Sequence, residues 1–480
     1  DPFMLGVASG YPQPDAVVLW TRLLPDQDGE DGPLPPSGIP VDWEIAADEQ
    51  FTRVVRRGHV MALPELGHSV HVDCRGLGAG REYWYRFVAG GVRSPAGRTA
   101  TAPPSDALPG RLRVALASCQ HYEHGFYGAY RHMVADQPDL VLHVGDYIYE
   151  TAAGNRGVRS HGTAECQTLD DYRARYALYR SDPDLQRAHA SCPWLVTWDD
   201  HEVDNDYASD LPEDGGDPAT FLLRRAAAYQ AFYEHMPLPS AALLAPGEVS
   251  LYCERRWGRL ASLWMLDTRQ YRAPHACPKP GRRGGNRVSN CAELAQPGRH
   301  KLGEVQENWL GRRLEASDAR WNLLAQGTLM TYVDEDPGQT ETFWTDSWNG
   351  YPWARQRLLD LLARGVSNPV VLSGDSHAFV VGDLNAVPAD PASPIVASEF
   401  VTTSISSNGL PQSWVDEWFA PNPNVHLARS DVRGYVRLDV EREGIAIDLI
   451  AMESVAERSS AARVLASYRV ADGLPGPVAA

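Results

Sequence analysis

The seven cysteines of this 480-residue chain include no CxxC pair, which removes the spacing expected of a zinc ribbon or a thioredoxin-like site. No run approaches the roughly 18 uncharged apolar residues that a bilayer-spanning helix requires. Positive charge is in deficit. Lys and Arg total 44 against 62 Asp and Glu, a formal charge of −18, which opposes long-range attraction to a nucleic-acid backbone. The opening Asp1-Pro2-Phe3 has neither an initiator Met nor the apolar core of a signal peptide, so the expectation is a mature, soluble chain. Internal repeats and low-complexity tracts are absent. What the sequence does have is material for a large core, with 43% hydrophobic residues over a length that suits more than one domain.

The cysteines (Cys74, Cys119, Cys166, Cys192, Cys253, Cys277, Cys291) form an odd set. One reading is three disulfides plus one thiol kept for chemistry, which places the protein outside the cytoplasm. The other is a scatter of small buried residues. Cys277 and Cys291 would close a loop of about 14 residues, short enough to pair easily.

Two grammars divide the chain. In residues 1–105, Ala16–Trp20, Val41–Ile45, Ser69–Val72 and Tyr83–Phe87 are short alternating or apolar runs between Pro, Gly and Asp clusters, the pattern of a small β-sandwich. A Pro-rich linker, Thr101 to Gly110, follows. From 111 to 455 strands alternate with helical patterns, which points to α/β layers. The strand candidates are Leu112–Ala117, Asp139–Val144, Trp194–Trp198, Leu260–Leu266, Trp321–Ala325 and Pro369–Leu372. All are continuous apolar runs, as expected where both faces are covered. Phe126–Val134, Leu222–Tyr233 and Ala354–Ala363 carry helical periodicity, and Tyr435–Val440 with Ile445–Ala451 reads as a hairpin at the sheet edge. Residues 456–480 form a tail in which Glu453–Tyr468 is expected to be a helix, either a lid or an edge element.

Ligands of open α/β sheets collect beyond the carboxyl ends of the strands, and there the apolar runs give way to metal-competent residues. Ser118-Cys119, Gly145-Asp146-Tyr147-Ile148-Tyr149-Glu150, Asp199-Asp200-His201-Glu202, Asp267-Thr268-Arg269 and Gly374-Asp375-Ser376-His377 each follow a run. Any one of these acids, taken singly, is more often a cap or a turn residue. Together they place like charges at one end of the sheets, an arrangement that calls for cations. A thiolate from Cys119 and a phenolate from Tyr149 favour trivalent iron, whereas Asp146, Asn205 and Asp375 are hard oxygen donors suited to a divalent ion. Paired metals about 3.5–4 Å apart with a bridging hydroxide are the usual apparatus for in-line attack on a phosphorus ester.

These motifs, in order, also resemble the alkaline phosphatase D (PhoD) family of calcineurin-like metallophosphoesterases. The resemblance rests on Ala117-Ser118-Cys119, Gly145-Asp146-x-x-Tyr149, Trp198-Asp199-Asp200-His201-Glu202, Leu266-Asp267-Thr268-Arg269, Asp346-x-Trp348-x-Gly350-Tyr351 and Gly374-Asp375-Ser376-His377. It implies a sandwich of mixed sheets flanked by helices, preceded by a small all-β immunoglobulin- or fibronectin-like domain. It further implies a secreted or periplasmic phosphomonoesterase and phosphodiesterase using Fe3+ and Ca2+, exported by the twin-arginine route and expected to be a monomer. Carried over, Cys119, Asp146 and Tyr149 are the iron ligands, Asp146 bridges towards calcium, and Asn205, Asp375 and His377 complete the site.

Among the remaining residues, His201 is expected either to protonate the leaving alkoxide or to make an orienting bond to Asp199 or Asp200. Arg269 either clamps a phosphate oxygen or pairs with Asp267. Asp199 and Asp200 are expected to hold ligands from behind. Thr342–Tyr351 is expected to pack ahead of the helix at 354–363 rather than wall the substrate, Glu399–Ser404 to be core, and Gly284-Gly285 lacks the ending of a P-loop. The leading expectation is therefore a metal-dependent phosphoester hydrolase. A phospholipase D-type diesterase is its neighbour. A non-catalytic calcium-binding surface protein is the rival, although structural calcium avoids thiolate and imidazole.

Overall fold

The six apolar runs form parallel strands because each is covered on one side by helices and on the other by a second sheet. The structure is a computed structural model and describes residues 1–24, 37–155, 157–338 and 340–480. Arg111–Ala117, Leu140–Val144 and Trp194–Thr197 lie side by side in a ten-stranded mixed sheet. Ala261–Met265, Trp321–Ala325 and Pro369–Ser373 lie side by side in a seven-stranded one. Alternation within a strand shows the layering. Leu323 and Ala325 join the core between the sheets, whereas Leu324 packs with Leu310 and Leu314 of helix Glu304–Glu315 and Leu358 and Leu359 of helix Pro352–Ala363.

Helices Gly128–Ala135, Leu169–Arg180, Pro183–Ser191 and Pro218–His235 cover the ten-stranded sheet. Two of these begin with Asp-Pro. Asp182 and Asp217 accept from the first-turn amides, and Pro183 and Pro218 stand where no donor is needed.

In the N-terminal region, Ile39–Ala46 and Glu82–Ala89 form the centre of a five-stranded antiparallel sheet with Val54–Ala62 at its edge. It packs on Val7–Gly10, Ala16–Arg22 and Ser69–Arg75 around Val17, Leu19, Ile45, Val70, Tyr85 and Phe87. The second of these layers also continues the ten-stranded sheet, through the pair Gly10 and Trp194.

Three expectations are corrected. The hairpin Arg433–Glu441 and Gly444–Met452 is internal, because Ala462–Ala471 and Leu474–Ala479 add two strands outside it. Residues 462–479 are thus sheet rather than a helical lid or a detached tail. Tyr468 and Val470 are buried with Arg469 exposed between them, but a register shift opposite Leu449 and Ile450 breaks the alternation that identifies a strand. The third correction concerns disulfides. Among the described residues Cys277 bonds Cys291, while Cys74, Cys119, Cys166, Cys192 and Cys253 are thiols on separate elements, so three bridges do not form.

Candidate metal centre and active site

Strands from both sheets end at one place, and the residues just beyond them turn sharply. Cys119, Asp146, Asp375 and His377 adopt left-handed φ angles of 58°, 54°, 61° and 49°. Such conformations cost on the order of 1–3 kcal/mol each and persist where the surroundings enforce them. The loops also touch backbone to backbone. A Cβ on Gly145 would lie 2.4 Å from the Cβ of Asp199, so only glycine lets these two loops meet.

The turns bring the donors together. The ligand atoms of Cys119, Asp146 and His377 lie within 4.8 Å of one another, as do those of Asp146, Asp200 and His201 and those of Asp199, Asp200 and Asp375. Asp146 is shared by the first two groups and Asp200 by the last two. The Tyr149 hydroxyl is 2.9 Å from Asp146 Oδ2, 2.9 Å from His377 Nε2 and 2.8 Å from Ser407 Oγ. Asp199 and Asp200 thus lie within reach of Asp375, and Asp200 also within reach of Asp146 and His201. Asn205 is placed by its backbone N–H, which donates to Glu150 Oε1 at 2.9 Å.

The electrostatics are those of anions awaiting cations. Asp146 Oδ1 and Asp199 Oδ2 are buried without a hydrogen-bond partner. Burial, then Asp199 and Asp346, push the Asp375 carboxyl well above its ordinary range. Asp199 rises to about 7 through burial, which Arg269 opposes and Asp200 reinforces. Burial and the neighbouring Asp146 also drive the Cys119 thiol and the Tyr149 phenol upwards. A bound cation reverses each of these effects. Sulfur, phenol oxygen and imidazole on one side, with carboxylates on the other, suit two kinds of metal.

Arg269 corrects the phosphate-clamp expectation. Its side chain is fully buried, with Nε on Asp199, Nη1 2.7 Å from Asp346 Oδ1 and Nη2 2.9 Å from Asp346 Oδ2. Each nitrogen of the guanidinium meets a carboxylate of the protein. Only its backbone N–H meets the side chain of Asp267, at 3.0 Å. The His201 backbone N–H donates to Asp200 Oδ1 at 3.1 Å, but its ring is oriented by neither expected acid. Its Nδ1 lies 2.8 Å from Glu150 Oε2, and its ring lies over Tyr149 with centroids 4.2 Å apart. Burial disfavours its charge, but Glu150, Asp200 and Asp146 outweigh that and raise the imidazole well above its usual value.

Four residues without an assigned role complete the site. Glu150 holds His201 and the amide of Asn205. Glu202 Oε2 accepts from the amides of Asp146 at 3.1 Å and Asp199 at 2.8 Å, fixing two ligand loops at once. Ser407 bonds Tyr149, and Asp346 anchors Arg269. Glu150, Glu202 and Asp346 stand inside the motifs themselves, and their place there was the available signal. Asp346 is 77 residues from Arg269 along the chain, and Ser407 carried no signal.

Comparison with known proteins follows the geometry. Residues 114–449 match the family described as PhoD-like phosphatase, and residues 1–103 match its N-terminal domain. The chain is 44% identical over 478 residues to alkaline phosphatase D of Bacillus subtilis (strain 168), covering 97% of this chain and 80% of that protein. It also superposes on a solved structure described as that of PhoD with a TM-score of 0.94 and 43% identity, covering 100% of this chain and 92% of that one.

Proposed function

Because this chain belongs to the PhoD-like phosphatases, and is on that ground a metal-dependent phosphoester hydrolase, we propose how its own residues divide the work. Cys119, Asp146, Tyr149 and His377 are the donor set for Fe3+. Asp146, Asn205 and Asp375, joined by Asp199 and Asp200, are the donor set for Ca2+. Metals bound there supply Lewis acidity and neutralise charge on the phosphoryl oxygens. The observation that carries this reading is the meeting of thiol, phenol and imidazole with buried, unpartnered carboxylate oxygens at converging strand ends.

His201 is the proton donor to the departing alkoxide. Its Nδ1 is held by Glu150, which stabilises the imidazolium and leaves Nε2 to present its proton. Arg269 keeps the Asp199 carboxylate in position instead of touching substrate. The Cys277–Cys291 bond is consistent with an oxidising compartment and so with export.

Purified Asp146→Ala is the direct test. It is expected to keep its circular dichroism spectrum and to lose hydrolysis of an aryl phosphate by several orders of magnitude. Near-wild-type turnover would refute the assignment. Metal analysis of the wild type is expected to show iron with a visible charge-transfer band beside calcium; calcium alone would remove the iron assignment.

A further inference from the structure

Asp375 and His377 belong to a second feature as well as to the metal cluster, since they form one wall of a cleft of about 380 Å³. The facing walls are apolar and aromatic, formed by Leu329, Val333, Trp344, Leu410, Trp418 and Phe419. Leu329, Val333 and Phe419 are rooted in a small hydrophobic core of their own. Trp344 and Leu410 remain 37% and 44% exposed beside the cluster. Water-facing aromatic surface next to a reaction centre is the usual composition of a pocket for an organic group.

The walls are built independently of the metal loops. Trp344 pairs with Arg287 across a short antiparallel ribbon whose other strand, Arg287–Ser289, lies inside the loop closed by Cys277 and Cys291. Trp418 and Phe419 come from helix Gln412–Phe419. Among the described residues the one arginine at this wall is already paired. Arg287 bonds Glu335 at 2.7 Å and lies 4.9 Å from the centre of the Trp418 ring. A leaving group bearing a second phosphate or a carboxylate would therefore compete with Glu335 for it.

We propose that this cleft is the leaving-group subsite, and that it selects phosphoesters of compact, uncharged aromatic or alicyclic alcohols; this rests on the hydrolase reading above. With phosphorus at the metal cluster, the substituent that passes over Asp375 and His377 enters the cleft. There its rings stack against Trp418 and Trp344, whose large rigid faces lose little freedom on binding.

The test compares kcat/KM for 2-naphthyl phosphate and glycerol 2-phosphate in the metal-loaded wild type, Trp418→Ala and Trp344→Ala. The naphthyl-to-glycerol ratio is expected to fall at least about tenfold in each variant, mainly through KM. An unchanged ratio overturns the subsite while leaving the hydrolase reading intact. A loss confined to phosphatidylcholine vesicles would identify a lipid surface as the occupant and also overturn it. If the wild type hydrolyses neither ester, the hydrolase reading fails. Calorimetric titration with 2-naphthylphosphonate then decides the subsite alone, which stands only if Trp418→Ala weakens binding.

Discussion

Arg269 and Asp346 meet as a fork on a carboxylate, Nη1 to Oδ1 at 2.7 Å and Nη2 to Oδ2 at 2.9 Å, with both side chains buried. Since Arg269 Nε in turn holds Asp199, Asp346 acts on the metal cluster through one intermediary. It also lies 2.8 Å from Arg272 Nη1 and 2.7 Å from His275 Nε2, so two guanidinium groups and an imidazole converge on one acid. Asp346 is thus a positioning residue.

Asp346→Asn should leave Arg272 without its paired carboxylate and Arg269 with Asp199 and Asp200 alone, at a cost of about 3–5 kcal/mol. Burial opposes the Asp346 charge, but Arg269 and Arg272 overcome it and hold the carboxyl well below its ordinary range. A depressed carboxylate contributes stability that is fully present above the unfolded value of about 3.9 and is lost as pH falls through the folded value. Thermal unfolding from pH 7 to 2 is therefore expected to show a lower Tm throughout and a shallower acid limb in the variant. An acid limb identical to the wild type would show that Asp346 does not carry that dependence.

The contrast between Asp346 and Asp375 shows what was legible in the chain. Asp375 follows a continuous apolar strand and a glycine, and topology alone places the end of such a strand at the ligand site. Cys119, Asp146 and Asp199 were found by the same rule, because it needs only local pattern. Arg269 follows a strand too, yet its partners Asp199 and Asp346 lie 70 and 77 residues away, and no local pattern encodes such pairing. The final strands were misread for a similar reason. A bulge interrupted their period of two, and Gly444–Met452, the strand that covers them, supplied the missing information.

Glu150→Gln tests the proton donor. Gln keeps the shape but no longer stabilises the His201 imidazolium. Loss of an orienting partner of this kind typically costs about 10–100-fold, and it is expected in kcat more than in KM. The deficit should be larger for alkyl than for nitrophenyl esters, because a nitrophenolate departs without a proton. An equal deficit on both would assign Glu150 to the fold rather than to the leaving group.

Tyr149→Phe and Cys119→Ser separate the two metals. In the proposed division Tyr149 and Cys119 are the donors for iron, while Asp199, Asp200 and Asp375 form a group without either. Each variant is expected to lose or shift the visible band and to lower bound iron while retaining calcium. Simultaneous loss of both metals would mean that the two sites fold as one.

The Cys277–Cys291 bond closes a separation of 14 residues and carries the strand whose Arg287 lines the cleft. Replacing both cysteines with Ser should lower stability by about 3 kcal/mol for a loop of this length. The change is expected to fall more heavily on the naphthyl ester than on glycerol 2-phosphate. Equal effects on the two esters would leave the loop with a purely structural part.

Lys301 offers a pH test of the network behind the cluster. Its side chain is fully buried and donates from Nζ to the backbone oxygen of Asp346 at 2.6 Å. Burial, reinforced by Arg272 and partly offset by Asp346, lowers its amine to about 7. The unfolded chain holds that proton up to about pH 10.4. Between these values the unfolded state binds more protons than the folded one, so this group makes stability rise with pH across that window. Lys301→Met removes the titration and also the hydrogen bond, so the diagnostic quantity is the slope rather than the absolute stability. Urea midpoints taken from pH 6 to 10 are expected to climb less steeply in the variant than in the wild type. Parallel profiles would mean that Lys301 keeps its charge in the folded protein, with Asp346 compensating for its burial.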